Sequence, residues 1–406
     1  QYAIDQAIDD DFIHVAAGTY VENIDYNGKN ISIIGANRET TIIDGNSSGT
    51  VVTIPSGGDG SLLKNFTIQN GVGQEWLYGG SGGGILIASL SVLDNLIIQN
   101  NSSSDRGGGI YFADHSGNSK LKNSIVNNNV SSTGGGLSIH NGASPEIINT
   151  LIYNNTAIVD GGGAMSTSQS SSFINCTISN NHAGSGNRSA GLHLLVSNEN
   201  DFIDIINTNI SGNYGKQIVS GFYIGGGANI IYSNIEGGID SVGYSESDIG
   251  TITWGSGNID VNPMFVDTAN GNYHLLASSQ LINAGHPDST DSDGTRADIG
   301  AYPYLNTYSG PTWYVQTDGS DTDGTGSTDS PFASIQSAIN FATTTGDSVT
   351  VAAGTYVESI DFRERSIKMV GADWETTILD GDSSGTVVLF NTGSNGTALL
   401  KNFTIK

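Results

Sequence analysis

The hexapeptide Asn65-Phe-Thr-Ile-Gln-Asn70 begins a phrase that returns five more times along the chain. The first Asn steps by 30, 28, 26, 26 and 32 residues through the later copies, which begin at Asn95, Asn123, Asn149, Asn175 and, more loosely, Asn207. Glycine triplets follow the same rhythm, at 82–84, 107–109, 134–136 and 161–163. Self-similarity with a period of this length is typical of a solenoid.

The residue types of the phrase decide which solenoid it is. Each copy carries a central aliphatic residue among polar ones, such as Ile68, Ile98 and Ile152. A helical repeat would instead need apolar residues at i, i+3, i+4 and i+7, and the abundant Asn, Ser, Thr and Gly favour turns. A coil of roughly 27 residues fits three short strands and three bends, stacked as parallel strands about 4.8 Å apart. We therefore predict an all-β fold, a right-handed parallel β-helix with three strands per coil; the right hand is the usual hand of parallel crossovers.

The first Asn of each phrase is expected to lie at a bend. Side-chain amides stacked on one another can form a continuous hydrogen-bonded ladder. The predicted structural ladder consists of Asn65, Asn95, Asn123, Asn149, Asn175 and Asn207.

Composition restricts the partners of the chain. Its 406 residues contain 14 Lys and Arg against 40 Asp and Glu, which gives a formal charge of −26. Nucleic acids require a basic face, so they are excluded as partners. The charge suits divalent cations, or it only solvates a large surface. The sequence contains no run of 18 apolar residues, so it predicts no membrane span. The single cysteine, Cys176, is expected to be a half-buried structural thiol.

A second, much longer repeat divides the chain into units. Residues Val15–Ile54 recur as Val351–Phe390 with 25 of 40 positions identical. The sequence predicts a first β-helix unit at 1–303, with an irregular closing region at about 255–303. A linker at 304–311 and the start of a homologous second unit at 312–406 follow.

Each unit is predicted to begin with a short capping helix. Ile335, Ala338, Ile339 and Ala342 form one apolar helix face behind Ser334, a favourable N-cap residue. Terminal repeats of solenoids need such a cap. Gln1-Tyr-Ala-Ile4 aligns with Gln336-Ser-Ala-Ile339, so we expect the chain to start inside the first cap helix and to be a segment of a longer tandem array.

Two regions resemble a known group of proteins. The segment Ser330-Pro-Phe-Ala-Ser-Ile-Gln-Ser-Ala-Ile339, followed by Val351-Ala-Ala-Gly-Thr-Tyr356, resembles the front of pectate-lyase-like β-helix proteins of bacterial surfaces. The stretch Gly294-Thr-Arg-Ala-Asp-Ile-Gly-Ala-Tyr302 resembles their choice-of-anchor closing region. The resemblance implies a secreted or cell-surface bacterial protein with a right-handed β-helix. It does not fix an activity, because this fold carries many functions.

Two acidic loops near the junction of the units are candidates for Ca²⁺. Each places carboxylates at alternate or near-alternate positions and ends in Gly, which resembles the start of a calcium loop. A solvated turn is the alternative at both, and no cofactor is required. The residues are Asp288, Asp291 and Asp293 in one loop and Asp318, Asp321 and Asp323 in the other.

Catalytic residues are harder to find. The resemblance implies that a lyase of this fold would have a Ca²⁺-binding carboxylate cluster beside a basic residue. The weak candidates for such a site are Asp105, Arg106 and Asp160. Each lies one or two residues before a glycine triplet, which would place Arg106 and Asp160 two coils apart. Bend residues without a catalytic role are the alternative. Trp76 and Tyr78 form an aromatic loop that could stack on a carbohydrate or pack on the solenoid.

We therefore expect an extracellular structural or adhesive protein, more a fibre component or adhesin than an enzyme. Its partners would be neighbouring copies of the same unit, head to tail, and other chains in a rod or surface fibre. The alternatives are a polysaccharide lyase, a hydrolase, or a glycan-binding module without turnover.

Overall fold

The computed structural model describes residues 1–406 except 74–79, 141, 168–169, 186–187, 197, 222–225, 245–249 and 391–397. The chain forms two compact units. Unit 1 comprises Gln1–Val261 with Ile299–Ala301, and unit 2 comprises Asn262–Asp298 with Tyr302–Lys406.

Unit 1 is built from three parallel sheets whose strands follow one another in each coil. Sheet 1 contains β1 (Phe12–Val15), β4 (Ser32–Gly35), β7 (Ser61–Lys64), β10 (Ser91–Asp94), β13 (Lys120–Lys122), β17 (Glu146–Ile148), β21 (Ser172–Ile174), β24 (Phe202–Ile206), β27 (Gly227–Ile231) and β30 (Thr251–Trp254). Sheet 2 contains β2 (Gly18–Val21), β5 (Thr41–Asp44), β8 (Thr67–Gln69), β11 (Ile97–Gln99), β14 (Ile125–Asn127), β18 (Leu151–Tyr153), β22 (Thr177–Ser179), β25 (Asn209–Ser211) and β28 (Asn234–Ile235). Sheet 3 contains β3 (Ile24–Asp25), β6 (Val52–Ile54), β9 (Ile85–Ile87), β12 (Ile110–Phe112), β16 (Leu137–Ile139), β20 (Ala164–Ser166), β23 (Ser189–Leu194), β26 (Lys216–Ser220) and β29 (Val242–Tyr244).

Three short elements complete unit 1. A two-stranded parallel pair joins β15 (Val130–Ser131) to β19 (Thr156–Ala157). Helix α1 spans Tyr2–Gln6, and a 3₁₀ helix spans Gly238–Ser241.

The core of unit 1 is a set of aliphatic columns that run from coil to coil. In sheet 2 each central residue of the repeated phrase pairs with its counterpart in the next coil, as Ile98 does with Ile68 and Val126. The column is fully buried and contains Ile68, Ile98, Val126, Ile152, Ile178 and Ile210. This one-residue alternation suffices because side chains of a strand point to opposite faces. The predicted parallel β-helix, with three strands per coil, is confirmed.

The glycine triplets lie where the backbone of neighbouring coils comes closest. Gly107, Gly134 and Gly161 open the triplets with φ between 62° and 73°, a left-handed conformation that favours glycine. At the next position, a Cβ on Gly108 would lie 2.5 Å from the carbonyl oxygen of Val130. The triplets therefore mark a bend that admits no larger side chain in its centre.

Unit 2 repeats the same architecture over fewer coils. Its parallel sheets contain β33 (Thr312–Val315), β34 (Ser348–Val351), β37 (Lys368–Gly371) and β40 (Leu399–Lys401); then β35 (Gly354–Val357), β38 (Thr377–Asp380) and β41 (Thr404–Ile405); then β36 (Ile360–Asp361) and β39 (Val388–Leu389). An antiparallel pair precedes them, formed by β31 (Phe265–Asp267) and β32 (Asn272–Leu275) around a 3₁₀ helix at Thr268–Asn270.

Helix α2 (Ile335–Phe341) confirms the predicted capping helix of unit 2. Ser334 is its N-cap, and the Ser334 side chain accepts a hydrogen bond from the backbone N–H of Ser337. The sequence predicted one apolar face, but every residue of α2 is buried. The polar residues Gln336 and Asn340 tolerate burial because both side chains are hydrogen-bonded.

The division into compact units differs from the boundary expected from the long repeat. Most of the closing region expected to end the first unit lies in unit 2, as Asn262–Asp298. The reason is a set of contacts too distant in sequence to read from the repeat. Asn340 Nδ2 donates to the carbonyl oxygens of Ala277 and Ser279 at 3.0 and 2.8 Å. Arg363 Nη1 donates to the carbonyl oxygen of Ile282 at 2.8 Å.

Candidate functional site

Two of the residues expected to be catalytic, Arg106 and Asp160, lie on the bend before sheet 3. The backbone N–H of Gly107 donates to Thr133 O, and that of Gly134 donates to Asp160 O. Arg106, Thr133 and Asp160 therefore hold equivalent positions in successive coils. Two coil spacings place Arg106 and Asp160 roughly 10 Å apart along the axis of the unit.

Asp160 has three polar partners on this bend. Arg188 Nη1 donates to Asp160 Oδ2 at 2.6 Å, and the backbone N–H of Ser189 donates to Oδ1 at 3.1 Å. His193 Nδ1 lies 3.4 Å from Oδ1. Burial alone would raise the pKa of Asp160, but hydrogen bonds from His193, Ser189 and Arg188 outweigh it and hold the pKa below its ordinary value. Asp160 is therefore a carboxylate at neutral pH.

A second polar group lies two coils away on the same side. Arg106 Nε is 3.6 Å from Asp105 Oδ2, and both side chains are more than one-third exposed. Tyr111, on the outward face of β12, contacts the edge of the His140 ring with centroids 6.1 Å apart. His140 Nδ1 in turn contacts Asp114. Burial raises the pKa of Tyr111, so its hydroxyl stays protonated at neutral pH.

These two groups form what we call the sheet 3 face. It is defined by Arg106, Tyr111, His140, Asp160, Arg188 and His193. Each cation or imidazole on it contacts a carboxylate or an aromatic ring, so the face is locally balanced although the chain is strongly acidic. An imidazole beside a carboxylate is an arrangement that can accept and release a proton.

The outward face of sheet 1 holds a separate charged cluster. Asp94 is almost buried between Lys64 and Lys122, whose Nζ atoms lie 2.9 and 3.7 Å from Asp94 Oδ2. Asn123 Nδ2 donates to Asp94 Oδ1 at 2.9 Å. Burial would raise the pKa of Asp94, but Asn123 and the two lysines lower it overall. Asp94 thus neutralises like charges that would otherwise face each other across two coils.

The predicted Asn ladder lies at the bend between sheets 1 and 2. Asn95 Nδ2 donates to Asn65 Oδ1 at 2.8 Å, and Asn175 Nδ2 donates to Asn149 Oδ1 at 3.1 Å. The ladder breaks where Asn123 turns to Asp94 instead of Asn95. Its residues adopt left-handed φ values of 47° to 65°; they are Asn65, Asn95, Asn123, Asn149, Asn175 and Asn207.

A second Asn ladder, which sequence reasoning missed, runs through the interior of unit 1. The backbone N–H and the side-chain Nδ2 of Asn129 both donate to Asn155 Oδ1 at 3.0 Å. Asn155 donates in the same two ways to Asn181 Oδ1. The ladder is buried and comprises Asn101, Asn129, Asn155, Asn181 and Asn213. Its signal in the sequence was the doubled Asn that ends most copies of the phrase.

Two carboxylates of the first acidic loop accept hydrogen bonds from nearby backbone N–H groups. Asp293 accepts hydrogen bonds from the N–H groups of Thr295 and Asn306, and Asp291 accepts one from Asp298. Asp288 is exposed, with its Oδ2 4.0 Å from His286 Nδ1. Burial raises the pKa of Asp291 to about 6, and burial with the charge of Asp291 raises that of Asp298 to about 8.

The second acidic loop is tied to the capping helix. Asp321 Oδ1 accepts hydrogen bonds from the N–H groups of Ala333 and Ser334 and from Ser337 Oγ. Asp318 and Asp323 lie nearby on an exposed loop. Within the described ranges, no three His, Cys, Asp or Glu side chains are arranged to hold a metal ion. Ca²⁺ binding at either loop stays a prediction.

The expected aromatic loop lies outside the part of the chain that the structure describes, because Trp76 and Tyr78 fall within 74–79. Their role in carbohydrate binding therefore stays a prediction.

Cys176 is described and fully buried, with burial raising the pKa of its thiol to about 12. No helix in the described ranges has the length and apolar character needed to cross a membrane.

The most detailed constellation in the molecule occurs twice, at the two capping helices. In unit 1, Gln1 Nε2 donates to Asp25 O and Gln1 Oε1 accepts from Asp25 N, at 3.1 and 2.8 Å. In unit 2, Gln336 makes the same pair with Asp361, at 3.2 and 2.8 Å.

Two further contacts follow the same pattern. The backbone N–H of Gln336 donates to Glu358 at 3.0 Å, and Glu22 holds the matching position in unit 1. Lys29 donates to Ile4 O at the end of α1, and Arg365 contacts Ile339 O at the end of α2. A cation at this place suits the negative end of a helix.

No protein-family model matches the chain, and no curated protein sequence matches it. Three solved structures are similar in part. Pectate lyase Pel9A aligns with a TM-score of 0.40 and 15% identity over 75% of this chain and 90% of that chain. A pectin methylesterase from Yersinia enterocolitica aligns with a TM-score of 0.39 and 13% identity over 64% and 91%. The PL6 family alginate lyase AlyGC aligns with a TM-score of 0.26 and 12% identity over 100% and 70%. We derive no activity from similarities this low, and the assignment of a parallel β-helix rests on the strand pairing of the chain itself.

Proposed function

We propose that the chain is part of an extracellular structural or adhesive protein in which β-helical units follow one another in tandem. The observation that carries this proposal is the capping constellation, which recurs in both units with the same donors and acceptors. In each unit one Gln side chain at the start of the helix makes the same two hydrogen bonds to the backbone of one residue, Asp25 or Asp361. The presence of this constellation twice supports a module whose closed end is required in every copy.

Electron microscopy of the native surface material would test this proposal. Units of ten to twelve coils, stacked about 4.8 Å apart, should appear with a regular spacing of roughly 50–60 Å. Antibodies against unit 1 should decorate the material at that interval. Particles without any regular spacing, or antibody labelling confined to the cell interior, would contradict the proposal.

A second candidate function is favoured by the sheet 3 face. Its Arg106, Arg188 and imidazoles could bind an acidic polysaccharide, with or without turnover. In a lyase, a base removes the proton from C5 of a uronic acid while a cation holds its carboxylate. The C4–O bond then breaks, the leaving oxygen takes a proton, and a C4=C5 double bond remains.

An absorbance assay distinguishes turnover from binding. Pectin and alginate would each be incubated with the chain and Ca²⁺, and ultraviolet absorbance of unsaturated products would be followed. If the sheet 3 face is catalytic, His193→Ala should remove the signal. His182→Ala is the matched control, since His182 stacks on Tyr214 at 4.1 Å on a different bend and should leave the signal unchanged. A glycan array would detect binding without turnover.

A further inference from the structure

Unit 2 contains a cavity of about 490 Å³ to which the proposed function assigns no role. Part of its lining comes from Asn272 and His274 of β32, part from the segment 303–307 and part from 322–325. All of these residues belong to unit 2. The volume falls in the range of roughly 300–1,000 Å³ that small-molecule sites occupy. The side chains of the lining therefore indicate which class of molecule fits.

The apolar part of the lining is accessible to solvent. Leu305 is 52% exposed, and Val266 and Pro303 are partly exposed. The ring of Tyr302 stacks on the ring of His274, with centroids 4.6 Å apart and 10° between the planes, which holds the imidazole in place. A fixed ring beside aliphatic groups suits a ligand with a flat apolar face, such as the C–H face of a sugar ring.

The hydrogen bonds of His274 determine which ring nitrogen can accept. The backbone N–H of His274 donates to Asn272 Oδ1 at 3.1 Å, so this oxygen is an acceptor, and His274 Nδ1 lies 2.9 Å from it. Nδ1 therefore carries a proton. Burial lowers the pKa of His274, so the ring is neutral at neutral pH and its Nε2 carries a free lone pair. Nε2 can accept a hydrogen bond from a ligand hydroxyl.

The remaining polar groups of the lining favour hydroxyls and disfavour carboxylates. Asp323, Thr307 and Thr322 line the cavity from exposed positions, and among its described lining residues there is no Lys or Arg. A sugar hydroxyl both donates and accepts, so it matches the Asp323 carboxylate as well as the threonine hydroxyls. A second carboxylate would meet the charge of Asp323 without a compensating cation. The lining therefore suits a neutral sugar and not a uronic acid, in contrast to the sheet 3 face.

We propose that this cavity of unit 2 binds a neutral saccharide. A sugar ring would pack against His274 and Leu305, and its hydroxyls would hydrogen-bond to His274 Nε2 and to Asp323. The inference goes beyond the proposed tandem function, because it requires only a folded unit 2. It gives an adhesive protein a class of receptor that it recognises.

A glycan array tests the proposal with the whole chain. The array would carry neutral oligosaccharides of glucose, galactose, mannose and N-acetylglucosamine beside oligogalacturonate and oligomannuronate. EDTA would be present, because Asp323 belongs to a loop predicted to bind Ca²⁺. At least one neutral glycan should be bound, and His274→Ala and Leu305→Ser should each weaken that binding by about tenfold. Absence of binding to every neutral glycan would overturn the proposal.

Two further variants separate this cavity from other surfaces. Trp374→Ala is the matched control, since Trp374 is a 58% exposed aromatic residue of unit 2 outside the lining, and it should leave binding unchanged. Asp323→Lys should weaken binding of the neutral glycan and increase binding of oligogalacturonate relative to the parent chain, because it supplies the missing cation. Thermal unfolding of each variant would confirm an intact fold. Neutral-glycan binding that survives in both His274→Ala and Leu305→Ser would reject this site.

The two proposals fail in distinguishable ways. A regular spacing in micrographs without saccharide binding would retain the tandem function and reject this cavity. Saccharide binding that depends on His274, in material without a regular spacing, would retain the cavity and reject the tandem function.

Discussion

Adjacent asparagines in unit 1 have opposite roles although they are chemically identical. Asn154 is exposed and left-handed, with φ of 53°. Asn155 is buried and belongs to the interior ladder. The first tolerates any residue that accepts a positive φ, and Gly212 occupies this position in a later coil with φ of 68°. The second requires both a donor and an acceptor in its side chain.

The interior ladder should be far more sensitive to substitution than the bend beside it. Asn155→Ala removes the acceptor of two donors on Asn129 and the donor to Val126 O. Buried polar groups left without partners should lower the free energy of unfolding by about 3 kcal/mol. Asn154→Gly, the matched control, should change it by less than about 0.5 kcal/mol. Urea denaturation of both variants measures the difference, and equal losses would contradict the separation of roles.

Cys176 should be inert in the folded protein. Its thiol is fully buried, its pKa is raised to about 12 by burial, and Sγ donates to Ile147 O at 3.3 Å. Iodoacetamide followed by mass spectrometry should show no labelling without denaturant and complete labelling in denaturant. Cys176→Thr should fold with little loss, because Thr150 and Thr208 hold the same position in the adjoining coils. Rapid labelling of the native chain would contradict the buried position.

One position of the capping helices, Asn340 in α2 and Asp5 in α1, has different hydrogen-bond partners in this chain. Asn340 in α2 accepts hydrogen bonds from Gln336 and Arg363 and donates to two carbonyl oxygens of the closing region. Its counterpart in α1 is Asp5, which is exposed. Asp5 Oδ1 accepts hydrogen bonds from Gln1 Nε2 and Asn27 Nδ2.

Substitution at this place should have unequal effects. Asn340→Ala leaves the carbonyl oxygens of Ala277 and Ser279 and the guanidinium of Arg363 without their partner, so unit 2 should lose about 3–5 kcal/mol of stability. Asp5→Ala should change unit 1 by less than about 1 kcal/mol. Calorimetric unfolding of both variants provides the comparison. A larger loss in the Asp5→Ala variant would show that the assigned contacts do not hold α2.

The elements were predictable to the extent that they are periodic. Alternation around Ile152 and the stripe from Ile335 to Ala342 identified strands and the capping helix, because burial on one face leaves a pattern in a single segment. The interior ladder was missed since only the doubling of Asn distinguishes it from a turn. Contacts such as Arg363 with Ile282, or His193 with Asp160, join distant segments and leave no local pattern. The sequence therefore predicted the places of Arg106 and Asp160 on the sheet 3 face, but neither their contacts nor the division near residue 261.

At the scale of the whole molecule, the described carboxyl groups with raised pKa values, Asp291, Asp298 and Glu358, all lie in unit 2. In unit 1, hydrogen bonds and ion pairs outweigh burial and lower the pKa of Asp94 and Asp160. In unit 2, burial is the larger effect and raises the pKa of Asp291 to about 6, of Glu358 to about 7 and of Asp298 to about 8.

The units should consequently respond to pH in opposite directions. The three groups with raised pKa values lose their protons near pH 4 in the unfolded chain but between about pH 6 and pH 8 in native unit 2. The free energy of unfolding of unit 2 should therefore fall between about pH 4 and pH 8. Unit 1 should lose stability only below about pH 4, where its lowered carboxyls become protonated. Calorimetry across this range, with hydrogen exchange to assign each transition, measures both effects.

Asp291→Asn provides the matched control for the pH response. The variant keeps an acceptor for the N–H of Asp298 and removes the charge that repels Asp298. It should be more stable than the parent near pH 8 and similar near pH 4, which flattens the response of unit 2. A unit 2 that becomes more stable between pH 4 and pH 8 would contradict the raised pKa values.

The even spacing of the interior ladder makes the length of unit 1 adjustable. Asn129, Asn155 and Asn181 follow one another at intervals of 26 residues, and each bonds only to the coil before and after it. A duplicate of residues 129–154 inserted after Asn154 would meet the same neighbours on both sides. Each inserted copy should lengthen the unit by about 4.8 Å. The length of unit 1 can therefore change in steps of one coil, according to the number of coil copies that the gene encodes.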